Sequence, residues 1–381
     1  MGCVVQSMNS SNPQHSSGRN TKRYSQLDVL RGITVLLAML DHVKIQFVSD
    51  FHLFVPATRL ATPCFIILFG AMIEIAYLAK FRAGADLPKI KHRIVTRFVT
   101  CWGLAILLSF VAVLSGNLGF QAGWQSVFGL AFGRFNEIFL IYAALFVILL
   151  AIWPVLSRYG SVPVLIIAAA GWLAQPWWGI ILGEPTYASS FFLGYGPGYG
   201  PGLLPAMTFL GFGIAVGEFL TGRRGPAIAV AILVVACAVI LSELSFGLME
   251  AGRRFLANRW INHPGYFAVG IVAFAGMALT ITAATKMRIL APTLDILARI
   301  GGQTLFVYAM GNLVLNALPQ FDLPRVIGMP VALAFLIGLS LLALMGHARR
   351  NTAALGIPLW WSRTYARLLD SATQRLFQRR A

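Results

Sequence analysis

RYSQLDVLRGITVLLAMLDHVKIQF, residues 23–47, decides how this chain is read. A helix needs about 20 mainly apolar residues to cross a ~30 Å hydrocarbon layer, and this run is long enough. It nevertheless carries Asp28, Arg31, Asp41, His42 and Lys44. A charge near the bilayer centre costs at least ~2.5–3.5 kcal/mol, so such residues are expected to face a bundle interior or a cavity. At 100° per residue, the eleven steps from Arg31 to His42 end about 20° past three turns, with a rise of ~16.5 Å. Both side chains therefore share one face, Arg31 toward one leaflet and His42 toward the other. Asp28 and Arg31, at i,i+3, are placed to pair. Asp41 points about 100° away from His42 on a regular helix, so a carboxylate from another span is the expected partner of the imidazole. A neutral imidazole, with an ordinary pKa of about 6.5, suits a general base. The competing reading is a buried histidine hydrogen-bonded to a neighbouring helix.

Working outward, the whole chain has the same character. Hydrophobic residues make up 58% of the 381 and charged residues 11%, with a mean hydropathy of +0.75. A soluble domain carries about 25% charged residues, so a polytopic membrane protein is expected. The formal charge of +17 does not indicate nucleic-acid binding, because the basic residues cluster between apolar runs as the positive-inside rule predicts. Cys3, Cys64, Cys101 and Cys237 show no metal-ligand or disulfide-framework spacing, and no metal is expected. The polar, Ser/Asn-rich residues 1–23 lack a signal-peptide pattern and read as a disordered cytosolic tail.

Ten spans are expected, at about 28–48, 60–79, 96–115, 137–156, 161–182, 203–220, 226–246, 264–285, 300–318 and 327–347. The fold class is all-α, with a membrane domain over 24–348 and a basic amphipathic tail over 349–381. Lys80, Arg82, Lys89, Lys91, Arg93 and Arg97 between the second and third spans, with the arginine-rich C-terminus, place both termini inside. The short apolar stretch 124–135 reads as interfacial or re-entrant. The loop EPTYASSFFLGYGPGYGPG, residues 184–202, is too dense in Gly and Pro to hold a helix. It is long enough to cover a cavity mouth, and its Tyr and Phe side chains suit either sugar stacking or an aromatic belt.

Further polar residues are candidates for the same cavity. Glu74 falls within the second span and is expected to meet an arginine or His42. Glu137 opens the fourth span, and Glu218 and Glu243 lie in the sixth and seventh. Thr304, Asn312 and Asn316 stripe the ninth span, as substrate contacts or as interhelical glue. Arg59 at the outer edge of the second span either snorkels or binds an anionic group. No GxSxG, Walker, HExxH or dinucleotide-binding motif is present.

The arginine, ten residues and histidine of the first span resemble the signature of the acyltransferase-3 family of membrane acyltransferases. RYSQLDVLRG also resembles the first helix of a wider group that includes the heparan-glucosaminide N-acetyltransferase-like proteins and the OpgC-type glucan succinyltransferases. TRLATPCFIILFGAMIEIAYL is similar to the group's second helix, and LARIGGQTLFVYAMGNLVL to a late one. Many acyltransferase-3 proteins end that late helix with a histidine; Met310 and Gly311 stand here instead, which points to the OpgC-type branch. The resemblance implies a multi-pass inner-membrane O-acyltransferase. It would move an acetyl or succinyl group from a cytosolic acyl-CoA, bound as co-substrate, to an envelope glycan, with membrane lipids around it. In that reading His42, Arg31 and Asp28 are catalytic, His42 as general base or as transient acyl acceptor, and Arg59, Glu74 and Asn312 bind substrate. The alternative is a proton-coupled transporter or flippase that uses the same buried charges.

Overall fold

The computed structural model describes residues 25–48, 55–196, 200–245, 247, 259, 261–321 and 323–351. The expected N-terminal tail and the region from 352 onward lie outside these residues. Every regular element among them is a helix.

In chain order these are α1 (Ser25–Phe47), α2 (Val55–Arg59), α3 (Ala61–Ile73), α4 (Ala79–Arg82), α5 (Leu87–Leu114), α6 (Phe120–Ser126), α7 (Glu137–Ala151) and α8 (Trp153–Tyr159). They are followed by α9 (Ser161–Ala174), α10 (Trp178–Leu182), α11 (Tyr187–Leu193), α12 (Leu203–Leu220), α13 (Ala227–Leu244), α14 (Pro264–Ala284), α15 (Ala291–Gly301), α16 (Thr304–Ala317) and α17 (Arg325–Asn351). Seven helical stretches are long and apolar enough to cross a membrane, or eight if α7 and α8 form one broken span. The protein is therefore a multi-pass membrane protein. α1 has the length, with 23 residues, but its charges keep it out of that set. α16 is short, at 14 residues.

Several boundaries differ from expectation for local reasons. α5 begins at Leu87 rather than near 96, because Asp86 sits at the N-cap and Pro88 in the first turn, where a missing N–H costs nothing. Its basic first turns can extend past the apolar layer, since 28 residues rise about 42 Å. The fourth span breaks at Ile152 and turns by 81°, since Pro154 can sit in the first turn of α8 but not inside a continuous helix. The aromatic loop does hold a helix. The Thr186 hydroxyl accepts from the Ser189 N–H and the Ser189 hydroxyl from the Thr186 N–H, a reciprocal cap that starts α11. The Gly/Pro density lies after it. α17 continues to Asn351, past the expected start of the C-terminal tail.

α12 is the centre of the bundle, with 72% of its residues buried, whereas α13, with 6%, is peripheral. Large apolar side chains such as Leu173, Ile180, Leu241 and Leu279 are exposed on the periphery, as a lipid-facing surface requires. Two helix crossings are close enough to require glycine. A Cβ on Gly213 of α12 would lie 3.0 Å from the Ile67 Cα of α3, and one on Gly217 would lie 2.9 Å from the Ala71 carbonyl oxygen. A Cβ on Gly301 of α15 would lie 2.8 Å from the Gly32 nitrogen of α1. Small residues let helix backbones approach in lipid, where packing supplies much of the attraction. Gly32 belongs to LDVLRG and Gly301 to LARIGG, so two of the recognisable motifs pack on each other.

Candidate functional site

α1, α3, α7 and α16 enclose two adjoining cavities. The larger, of about 310 Å³, is lined by Arg31, Tyr77, Arg97, Phe69, Tyr142 and Thr304, among others. Arg31 and Arg97 are its cations, and its walls are otherwise mostly apolar and aromatic. The smaller, of about 30 Å³, is polar and is lined by Asp41, His42, Thr58, Glu137, Arg259 and Tyr308. Phe65, Ile138 and Tyr308 line both, so they form the wall between them. Arg31 and His42, on one face of α1, thus serve different chambers.

Near the start of α1, Arg31 lies 3.3 Å from Asp28, the pairing expected from the i,i+3 spacing. Deeper in, the Nδ1 of His42 is 2.6 Å from Asn312 Oδ1 on α16. The Phe135 ring stacks on the imidazole with centroids 4.4 Å apart, and Tyr308 meets it at 61° and 5.6 Å. The partner of His42 is therefore an amide, not the carboxylate expected from another span, and Asn312, expected at a substrate, faces the histidine. With the Asn312 oxygen toward the ring, Nδ1 carries the proton and donates it. Nε2 then keeps its lone pair, as a base requires.

Asp41 is buried and accepts from the Thr58 hydroxyl at 2.8 Å and from Lys44 at 3.2 Å. It shares the chamber with His42 while pairing elsewhere, as its position on the helix implied. Arg259 donates to the Gly200 carbonyl at 2.6 Å and lies 3.5 Å from Glu137. Gly200, in the Gly/Pro-rich loop, itself lines the chamber. Arg59, at the end of α2, is half-buried with its Nε enclosed.

Glu74 meets an arginine, one of its two expected partners. It is wholly buried, pairs with Arg82 and lies 3.4 Å from the Thr221 hydroxyl. It lines neither cavity. Nearby, Glu218 accepts from Ser161 and from Arg223, each at 2.7 Å. Glu74 also opens a π-helical turn, Glu74–Leu78. These pairs make a charge network at the basic end of the bundle.

Reading the sequence alone missed Arg259, Phe135 and Tyr308. Tyr308 was within reach, being one turn from Asn312 on the same face of α16. Arg259 and Phe135 lie in irregular segments, where no periodicity indicates direction. Among the described residues no group of three His, Cys, Asp or Glu side chains forms a metal site.

Residues 23–121 match the family model described as OpgC protein. The matched stretch contains α1 with Arg31 and His42, the helical stretch of α2 to α4 (Pro56–Arg82) and α5. No curated protein matches the chain.

Proposed function

We propose that the protein is an integral membrane O-acyltransferase acting on an envelope glycan. The observation that carries this reading is the His42 imidazole, held at Nδ1 by Asn312 at 2.6 Å, in a polar chamber that shares a wall with the Arg31 cavity. The OpgC-family match over α1 to α5 supports the reaction class. Ten crossings, counting α1 and α16, with both termini in the cytosol of a cell whose inner membrane holds the protein, would open the Arg31 cavity toward cytosolic acyl-CoA.

In this reading Arg31 and Arg97 hold the anionic part of the thioester donor, and its acyl end reaches the Phe65–Ile138–Tyr308 wall. A glycan hydroxyl approaches His42 from the opposite side. The hydroxyl oxygen attacks the thioester carbonyl while Nε2 of His42 takes its proton. The new C–O bond forms, the C–S bond breaks, and the proton passes from Nε2 to the departing thiolate. Tetrahedral oxyanion charge develops beside Arg259 and Arg59, cations able to stabilise it. Asp41 and Glu137 are placed to accept hydrogen bonds from acceptor hydroxyls.

The test is mass spectrometry of envelope glycans from cells carrying the wild-type chain or His42→Ala at equal membrane abundance. Loss of an acetyl- or succinyl-sized increment in the variant is expected. Equal acylation in both would remove the proposal. Substrate flux through proteoliposomes without a covalent product would favour a transporter instead.

A further inference from the structure

Phe135 has φ +60°, a left-handed backbone conformation in which a bulky side chain is an outlier. Such outliers persist only where the surroundings over-determine them, and they gather at functional sites. Both flanks of Phe135 are indeed pinned. On one side, the Arg134 carbonyl accepts from Asn316 Nδ2 at 3.1 Å, and its guanidinium donates to Gln46 and lies 5.3 Å from the Phe135 ring centroid. On the other, the wholly buried Asn136 donates from Nδ2 to the Ser109 hydroxyl at 2.8 Å. Its carbonyl starts α7 by accepting from Phe139 at 3.1 Å.

The pinned conformation delivers one thing to the site. The Phe135 ring, 8% exposed, lies 25° from parallel with the imidazole. Asn312 anchors Nδ1 of His42 and Tyr308 meets the ring at 61°, which leaves the imidazole able to rock about its Cβ–Cγ bond. A flat ring stacked on one face removes that freedom.

We propose that Phe135 is a positioning residue that fixes the plane of the His42 imidazole, and that the segment before α7 is folded to hold it there. The proposal rests on the acyl-transfer reading for its kinetic consequence and on geometry alone for the ring contact. If Phe135 were only filling space, leucine would replace it.

The experiment compares the full-length wild type with Phe135→Leu and Phe135→Tyr in lipid nanodiscs, supplied with acetyl-CoA or succinyl-CoA and a glucan oligosaccharide. A misplaced catalytic group can cost about a hundredfold in rate, so a fall in kcat of at least about tenfold is expected for leucine. KM is expected to stay within about twofold, and tyrosine to restore kcat. Leucine at wild-type kcat would overturn the proposal. If the wild type transfers neither acyl group, the acyl-transfer reading itself has failed. Carbethoxylation of His42 by diethyl pyrocarbonate, mapped by mass spectrometry against His92 and His263, then decides. Faster modification of His42 alone in Phe135→Leu supports the ring contact, and an unchanged rate overturns it. Should the leucine variant not accumulate, Phe135→Met is read in the same way.

Discussion

At His42 and Arg31, two side chains on one helical face have different expected tasks. Arg31 lines the large cavity and His42 the small polar one, so their substitutions should separate kinetically. Arg31→Ala is expected to raise KM for the thioester donor, and His42→Ala to abolish kcat while donor binding persists; steady-state kinetics with titrated donor distinguishes the two. Asn312→Ala should cost about 10²-fold in kcat, because the imidazole loses the acceptor that sets its tautomer. Asn312→Asp keeps an oxygen acceptor and should retain more activity than alanine. Equal rates for wild type and Asn312→Ala would leave Asn312 as interhelical glue. The stripe was legible because helical arithmetic needs only sequence spacing. The identity of the partner was not, because Asn312 approaches from a helix 270 residues away in sequence.

The helices that carry these side chains depend on two close crossings. Gly213→Val would place methyl groups against the α3 backbone at Ile67. Overpacking of this kind typically costs about 1–3 kcal/mol, and more where backbone must move. A lower thermal midpoint in detergent is expected, together with reduced membrane accumulation. The corresponding change on the open side, Gly276→Val, meets no atom within 4 Å and serves as the control. Hydrophobic length located the seven or eight long apolar helices, because apolar runs of that length suffice to cross the hydrocarbon layer. It located the breaks poorly. The 81° turn at Ile152, the π-helical turn at Glu74 and the cap of α11 depend on single prolines, caps and buried pairs that an averaged hydropathy smooths away.

For the molecule as a whole, the ends of the bundle differ in charge and in chemistry. The Glu74–Arg82 and Glu218–Arg223 pairs gather at one end, and the His42 chamber lies toward the other. The orientation with both termini inside predicts sidedness. In a chain otherwise free of cysteine, Ala85→Cys should react with a membrane-impermeant maleimide only after the membrane is opened. Glu184→Cys should react in intact cells; the reverse pattern would invert the topology. Composition and hydropathy alone determined that the chain is helical and crosses a membrane many times, because lipid admits few ways to satisfy a backbone. The spacing in one helix determined that Arg31 and His42 face the same way. Only the tertiary structure decided that a wall of Phe65, Ile138 and Tyr308 parts them. It also paired Glu74 with Arg82 rather than with His42 and brought Arg259 and Phe135 to the histidine. Those outcomes depend on which helices cross and where loops return, and no local pattern in the chain encodes a contact made across the bundle.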